Sequence, residues 1–326
     1  MLQVLQPIHD MFQDSDDENM LVGLRESDDA AVYEVADGMS VIQTVDFFPP
    51  IVDDPWTYGA ISAANAMSDV YAMGGDVKFG LNIVGWPEDL DTTYLQEVLR
   101  GGAEKLLEAG ALVAGGHTVK SQEPLFGLSV SGLVQSEKLV RTSGAQLNDL
   151  LVITKPIGTG VALTACKGNA ELASSLLPAV IQSMLVLNQK GSETGLRCNV
   201  SAMTDVTGFG LVGHAAEMAD QSNVTLVIRS GSVPLFADVI DLVDNSGLSG
   251  GLGSNKAGLL KKIGNPDTLS SNLLDLFFDP QTSGPLLLSL APPDATEFCN
   301  EMESLGQQCW IIGEVTEFSG SSILFD

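Results

Sequence analysis

The chain has few cysteines and histidines for its length. Its 326 residues include four cysteines, none of them in a C-x-x-C pair, and three histidines. No histidine stands within zinc-ligand spacing of a cysteine, so the sequence predicts neither a disulfide framework nor a structural zinc site. We expect reduced thiols, as in a cytoplasmic protein.

Basic residues are also scarce. Fifteen Lys and Arg stand against 42 Asp and Glu, which gives a formal net charge of -27. The first sixty residues hold thirteen acids and one Lys or Arg, Arg25. A field of this sign repels nucleic acid and anionic membrane, so neither is an expected partner. Most of the excess is typical of a solvated acidic surface.

Long apolar runs and signal-peptide features are missing as well. No apolar run reaches the ~18 residues of a membrane span, and the N-terminus lacks the order of a secretory signal. We therefore predict a cytoplasmic protein without membrane contact. With 44% hydrophobic residues the chain can bury a substantial core, and its length favours two domains. The polar stretch 141–149 predicts a boundary between domains of residues 1–145 and 146–326.

Familiar nucleotide and hydrolase motifs are absent, with one exception. The chain has no G-x-x-x-x-G-K-[ST] and no G-x-S-x-G. Residues 208–213 do read G-x-G-x-x-G after a predicted strand, which is typical of dinucleotide binding. However, Arg229 stands where the acid that binds the ribose is expected, and Asp205 would repel a pyrophosphate. Only an NADP version of this alternative remains.

What the chain does have is a set of acids at the ends of predicted elements, each beside small residues. Asp28-Asp29 opens one strand, Asp46 ends another, Asp69 lies on an Ala-rich helix, and Asp205 follows a strand. An isolated Asp-Asp pair also fits a solvated turn. Mg²⁺ prefers oxygen ligands and usually binds through one or two carboxylates together with substrate phosphates. The set therefore predicts a metal–nucleotide site.

Periodicity places these acids on elements. Asp54-Pro55 and Gly74-Gly75 predict the start and end of a helix on which Asn65 and Asp69 share a face. Further helices are predicted at 91–109, 160–166, 170–190 and 210–220. Strands are predicted at 30–35, 40–48, 77–85, 111–115, 125–135, 149–154, 224–228, 284–290 and 309–313. Residues 247–255 predict a Gly/Ser loop.

One short motif and two single residues are weaker candidates. Gly115-Gly116-His117-Thr118 ends a predicted strand, where backbone amides can face phosphate oxygens, although a plain turn also fits. Lys155 lies in a Gly/Pro turn and is either a phosphate contact or an exposed lysine. His214 follows a predicted helix start beside two alanines, which favours a core or interface residue.

Six motifs in order resemble those of the selenophosphate synthetases (selenide, water dikinases). They are residues 28–33, 44–48, 68–75, 115–117, 204–210 and 279–284. The resemblance implies an α+β, two-domain aminoimidazole-ribonucleotide-synthetase-like fold. In that fold the strands of the N-terminal domain join a partner's in a dimeric β-barrel, and the C-terminal domain is α+β. The resemblance thus also implies a homodimer.

The same resemblance implies a reaction and residue roles. ATP, selenide and water would give selenophosphate, AMP and phosphate, with Mg²⁺ bridging the phosphates. The implied metal ligands are Asp29, Asp69 and Asp205. The implied contacts to ATP are Glu26, Ser27, Asp28, Asp46, Asp69, Gly116, His117 and Thr118.

The sequence departs from that family in two places. The family carries a Gly-rich segment with a reactive Cys or selenocysteine and a Lys just before the region aligned with residues 5–7, whereas the first cysteine here is Cys166. Pro285 stands where the family usually has Gly. A truncated chain, a separate or fused N-terminal part, and a catalytically silent Mg-ATP-binding regulator all stay open. A purine-pathway ligase or thiamine-phosphate kinase type of relative is the other alternative.

Overall fold

The computed structural model describes residues 8, 11, 17–24, 28–245 and 249–326. Six strands of the first half form one sheet in the order β1-β2-β3-β6-β4-β5. Neighbouring strands are antiparallel except β4 and β5, which run parallel. The strands are β1 Met20–Val22, β2 Ala31–Ala36, β3 Met39–Phe48, β4 Asp76–Trp86, β5 Leu112–Lys120 and β6 Leu125–Gln135.

Two helices, α1 Pro55–Ala72 and α2 Thr92–Glu108, accompany this first sheet. One face of this sheet is buried and the other is exposed, as the alternating burial of the side chains along β3 shows. Ile42 and Thr44 are buried, whereas Val45 and Phe47 are 54% and 51% exposed. The same alternation places Asp46 on the buried side of the sheet.

The second half forms another six-stranded sheet, in the order β12-β9-β11-β7-β10-β8. Its strands are β7 Leu150–Ile153, β8 Ala202–Asp205, β9 Val224–Ile228, β10 Leu286–Leu290, β11 Trp310–Glu317 and β12 Ile323–Phe325. Its helices are α3 Thr159–Cys166, α4 Ala170–Leu185, α5 Gln189–Arg197, α6 Gly210–Ser222, α7 Val239–Asn245, α8 Leu252–Leu259, α9 Ser271–Phe277 and α10 Pro292–Ser304. Within the described ranges, no single helix is long and apolar enough to span a membrane.

Helix α1 lies between the two halves. Its residues from Tyr58 to Ala72 are all buried. This is expected, because the helix itself carries mainly small and apolar residues on every side. On the side of the second half, Asn188 Nδ2 donates to Ser68 Oγ at 2.8 Å and Ser192 Oγ donates to the Tyr71 carbonyl at 2.6 Å. These bonds attach α1 to the second half of the chain.

Most predicted elements are confirmed. Helix α1 begins after the N-cap Asp54, whose side chain accepts from the Thr57 N–H, and ends before Gly74. The Gly/Ser loop prediction was wrong for residues 252–255, which open α8. The prediction that a strand ends at Gly115 was also wrong, because β5 continues to Lys120. The two sheets lie on either side of residues 141–149, and the boundary at residues 145/146 stays a prediction.

Candidate functional site

Four predicted acids from both halves of the chain meet at one place. Asp29 precedes β2, Asp46 lies on β3, Asp69 on α1, and Asp205 ends β8. Burial raises the pKa of Asp29 well above its ordinary value, and the charges of Asp205, Asp28 and Asp69 raise it further. The pKa of Asp69 is raised in the same way, by burial and then by Asp205 and Asp46. These carboxylates are therefore close enough to repel one another.

Asp205 and Asp69 are the most enclosed members of this acid cluster, at 1% and 9% exposure. Burial raises the pKa of Asp205 to about 6, although a hydrogen bond from Ser68 and the nearby charge of Lys155 act in the opposite direction. Burial also raises the pKa of Asp46. Burying several like charges costs free energy unless a cation compensates them. The cluster has the electrostatics of a cation site.

Neutral donors hold three of the carboxylates in place. Thr44 Oγ1 donates to Asp69 Oδ2, and Asn65 Nδ2 donates to Asp46 Oδ2 at 2.7 Å. The period-two pattern of the strand predicts that Thr44 and Asp46 share one face, and the i, i+4 spacing predicts the same for Asn65 and Asp69 on the helix. The structure adds that the two faces meet, so that each donor bonds the acid of the other element. Thr204 Oγ1 donates to Asp29 Oδ1 at 2.8 Å, a partner that the sequence reasoning missed even though Thr204 adjoins Asp205.

Two fully buried carboxylate oxygens in the cluster have no hydrogen-bond partner among the described residues. They are Asp29 Oδ2 and Asp205 Oδ2, both shielded from solvent. A buried, unpaired carboxylate oxygen is costly, and a bound cation would satisfy it. Oxygen donors of this kind fit Mg²⁺. Among the described residues no group of three or more His, Cys, Asp or Glu forms a ready-made metal cage, so phosphate and water oxygens would have to complete the coordination.

Asp28 has a different position from its neighbour Asp29. Its Oδ1 accepts from Thr142 Oγ1 at 2.6 Å, and both of its carboxylate oxygens lie within 3.3 Å of the Thr142 N–H. Asp28 therefore ties the start of β2 to the segment that connects the two sheets. Two further predicted contacts to ATP, Glu26 and Ser27, lie outside the described residues.

The remaining predicted nucleotide contacts do not join the acid cluster. Gly116, His117 and Thr118 lie in β5, which is exposed throughout and forms an edge of the first sheet. Strands β4 and β6 separate it from β3, which carries Asp46. Gly116 has φ +157°, and a Cβ there would stand 2.3 Å from the Asn82 carbonyl oxygen. The glycine thus serves the close approach of β5 to β4, and the contact of this motif with ATP stays a prediction.

Lys155 is buried, so the exposed-lysine alternative was wrong. It is 5% exposed, and its Nζ donates to the carbonyls of Val186 at 2.8 Å and Ser283 at 2.9 Å. Burial lowers the pKa of Lys155 to about 7. An Nζ engaged by two backbone carbonyls holds two loops together beside Asp205, and this arrangement does not favour a phosphate contact.

His214 is a core residue, as expected. It is 6% exposed, its Nε2 accepts from the Thr207 N–H at 3.1 Å, and burial lowers its pKa to about 4. It lies on α6, which begins within the G-x-G-x-x-G motif at Gly210. The strand before this motif, β8, is an edge strand that pairs antiparallel with β10. The dinucleotide alternative needs parallel β-α-β strands at this position, and the observed pairing does not provide them.

The motif at 279–284 has a structural function that connects to the site. Gln281 Oε1 accepts from the N–H groups of Gly158 and Thr159, and Asp279 Oδ2 accepts from the Val161 N–H at 2.9 Å, so the motif caps the start of α3. The Ser283 N–H then donates to Asn65 Oδ1 at 2.8 Å. Through Asn65 this loop of the second half reaches Asp46.

Comparisons with known families match both halves. The model of AIR synthase related protein, N-terminal domain, matches residues 27–134, and that of its C-terminal domain matches residues 146–325. The chain is 43% identical over 303 residues to the selenide, water dikinase of Clostridium botulinum (strain Eklund 17B / Type B), covering 93% of this chain and 87% of that one. It is 45% identical over 301 residues to that of Caldanaerobacter subterraneus subsp. tengcongensis, covering 92% and 87%.

Solved structures share the fold at low identity. AaThiL complexed with AMPPCP and TMP gives a TM-score of 0.71 at 20% identity, over 99% of this chain and 92% of that one. Thiamine monophosphate kinase from Aquifex aeolicus gives 0.69 at 19% identity, over 99% and 96%. Hydrogenase maturation protein HypE in complex with ATP gives 0.65 at 16% identity, over 98% and 90%. They confirm the two-domain α+β fold, and the family matches together with the 43% and 45% identities show that the chain belongs to the AIR synthase related proteins and, among them, to the selenide, water dikinase family.

Proposed function

We propose that this member of an enzyme family converts ATP, selenide and water to selenophosphate, AMP and phosphate, with Mg²⁺ as its metal. The observation that carries the proposal is the acid cluster, in which Asp29 Oδ2 and Asp205 Oδ2 are buried and accept no hydrogen bond from the part of the chain that the structure describes. The names of the relatives that are 43% and 45% identical support selenide as the substrate. The ATP named in the HypE structure supports the nucleotide.

Different residues of the chain would hold the metal and orient its ligands. Asp29, Asp69 and Asp205 would hold Mg²⁺, which would supply positive charge to neutralise the phosphates. Phosphoryl transfer depends mainly on positioning and on charge neutralisation, so a site of fixed carboxylates suits it. Thr44 and Asn65 would keep Asp69 and Asp46 oriented, since each already donates a hydrogen bond to its acid.

Contributions from both halves of the chain suit a reaction that needs a closed site. Asp46 and Asp69 come from the first half and Asp205 from the second. The charge of Asp205 raises the pKa of Asp69, and the charge of Asp46 raises the pKa of Asp205, in each case after the larger effect of burial. We propose that the nucleotide and its metal bind between the two halves, where they compensate this repulsion. Helix α1 carries Asp69 and contacts the second half through Ser68, so it would hold Asp69 at this boundary.

Phosphorus NMR of the full chain tests the reaction. The protein is incubated anaerobically with Mg²⁺ and ATP, with and without selenide, and Asp205→Asn serves as the matched variant. We expect selenophosphate and AMP only when selenide is present, and loss of both products in the variant and with EDTA.

Other outcomes would contradict the proposal in distinct ways. ATP that stays intact, although calorimetry detects its binding, would favour the silent Mg-ATP-binding regulator. ATP use that ignores selenide but responds to thiamine phosphate or to a purine-pathway substrate would favour a relative with another acceptor. Full activity in Asp205→Asn would make that residue structural.

We propose in addition that the chain forms a homodimer through the open face and the edge of the first sheet. Val35, Val45 and Phe47 are 57%, 54% and 51% exposed on this sheet, and Leu112 and Val119 on the edge strand β5 are 64% and 51% exposed. Exposed apolar residues on a sheet and an unpaired edge strand are typical of an interaction surface. The second copy would supply the missing cover, as the dimeric barrel of the family implies. We place this dimer in the cytoplasm, in keeping with four free cysteines.

A further inference from the structure

Helix α10 ends in a reversal that brings two cysteines together. Cys299 lies on α10, and Cys309 stands just before Trp310, where β11 begins. At the end of the helix Gly306 has φ +68°, its N–H donates to the Glu303 carbonyl at 3.0 Å, and the Gln307 N–H donates to the Met302 carbonyl at 2.9 Å. This is a Schellman ending, which folds the chain back on the helix.

The reversal places both thiols against the same apolar cluster. Cys299 and Cys309 are partly exposed and pack on the core formed by Phe298, Met302 and residues of β7 and β10. The two thiols interact with each other, and this interaction lowers the pKa of Cys299 and raises that of Cys309. The pair therefore has a nucleophilic member and a neighbouring sulfur that can attack in turn.

The other two cysteines provide a contrast within the same chain. Cys166 and Cys198 are 7% and 1% exposed. Burial is the main cause that raises the pKa of both, to about 11 for Cys198. Such thiols react slowly with oxidants, because the thiolate is the reactive form and they lie out of reach of solvent.

We propose that Cys299 and Cys309 form a reversible intramolecular disulfide when the protein meets a peroxide. The Cys299 sulfur attacks a peroxide oxygen, so that an S–O bond forms, the O–O bond breaks and one water leaves. The Cys309 sulfur then attacks the sulfenic sulfur, so that the S–S bond forms, the S–O bond breaks and a second water leaves. Two thiols and one hydrogen peroxide give one disulfide and two waters, and a dithiol reductant reverses the oxidation.

The disulfide would close the turn that carries Gln307. This side chain lines a cleft of about 390 Å³ at the boundary of the two halves, together with Lys105, Gln182 and Gln189. Gln307 also borders a small cavity that reaches Lys155. A bond between residues 299 and 309 would therefore hold one wall of this cleft in place.

Mass spectrometry of the full chain tests the disulfide. The reduced protein is freed of reductant, treated with hydrogen peroxide, alkylated and digested without reduction. We expect a product lighter by two hydrogen atoms, loss of two of the four titratable thiols, a cross-linked peptide pair containing Cys299 and Cys309, and full reversal by dithiothreitol. Cys166→Ser is the matched control and should still form the link.

The Cys309→Ser variant and the melting temperature test the disulfide independently. Cys309→Ser should leave Cys299 as a sulfenic acid that dimedone traps, with an unchanged circular dichroism spectrum. The oxidised protein should melt higher than the reduced protein, by on the order of 5 °C, and Cys309→Ser should show no such shift. The inference is overturned if peroxide leaves four free thiols, if Cys299 is oxidised without forming the link, or if the link joins two chains.

Discussion

Asp69 is subject to two opposing demands. Its burial and the charges of Asp205 and Asp46 raise its pKa, so its ionised form destabilises the protein without a ligand. The same charge is what a divalent cation needs from an oxygen ligand. A residue that lowers stability and supports binding is typical of a functional site.

Replacing Asp69 by Asn should separate the two effects. We expect Mg²⁺-dependent ATP affinity to fall by at least about tenfold, because a ligand charge is removed. We also expect the metal-free protein to gain stability at neutral pH, because like-charge repulsion is relieved. Calorimetry with Mg-ATP and urea unfolding in EDTA measure the two quantities. Asp76→Asn, at an exposed acid on β4, is the matched control. Unchanged ATP affinity would exclude a metal role for Asp69.

Glu217 on α6 is a second strained acid, and it predicts a pH dependence. Burial raises its pKa to about 7, with further contributions from Asp28 and Asp220. Between its ordinary pKa and about 7 the folded protein binds more protons at this site than the unfolded chain does, so its contribution to stability is lost as pH rises through that range. The charged form is the unfavourable one above pH 7.

Glu217→Gln should therefore be more stable than the wild type at pH 8, and the difference should shrink towards pH 5. We expect a change of about 1–2 kcal/mol across this range, because part of the group is screened by solvent. Urea unfolding in EDTA at several pH values measures it, and Glu303→Gln, at an exposed site on α10, is the control. A difference that does not vary with pH would show that Glu217 is not strained.

At the scale of elements, α3 depends on side chains from a distant segment. The Gln281 amide oxygen accepts from the N–H groups of Gly158 and Thr159 and from Thr159 Oγ1, at 2.8, 3.0 and 3.1 Å. Gly158 itself offers no side-chain cap. The first turn of the helix therefore receives its acceptors from a residue more than 120 positions away, and local sequence alone cannot identify that cap.

Gln281→Ala should lower the free energy of unfolding by about 2–4 kcal/mol, since it removes a cap and leaves buried donors unsatisfied. Chemical denaturation of the ligand-free protein measures the loss. Gln135→Ala at the exposed end of β6 should change stability by less than about 0.5 kcal/mol. A comparable loss in both variants would contradict the capping role.

Elements with strong local signals were predictable, and those formed by tertiary contacts were not. Alternation predicted β3, and the Asp54-Pro55 start predicted α1. By contrast, residues 252–255 look like a loop because Gly250-Gly251 and Ser254 lower helix propensity. They are helical because Leu252 is fully buried and Asn255 donates to the carbonyls of Gly208 and Phe278.

At the scale of the whole molecule, we expect a second copy of the chain to cover the open face of the first sheet. Size-exclusion chromatography with light scattering should report about twice the chain mass of 34.3 kDa. Phe47→Arg should shift the protein towards the monomer, because it places a charge in the apolar face. Phe318→Arg is the matched control, since Phe318 is 55% exposed and lies in the second half. A monomeric wild type, or a dimer that Phe47→Arg leaves intact, would contradict this surface.

By itself the sequence determined the family, the order of the motifs, the acidic composition and the candidate acids, because each of these depends on residue type and local spacing. Only the tertiary structure decided which acids meet. Asp29 and Asp205 are far apart in the chain, and the contact between the segment before β2 and the end of β8 brings them together. It also decided that Lys155 is buried and that residues 116–118 lie on an exposed edge strand. Burial and long-range contact depend on packing between elements, and no local pattern encodes them.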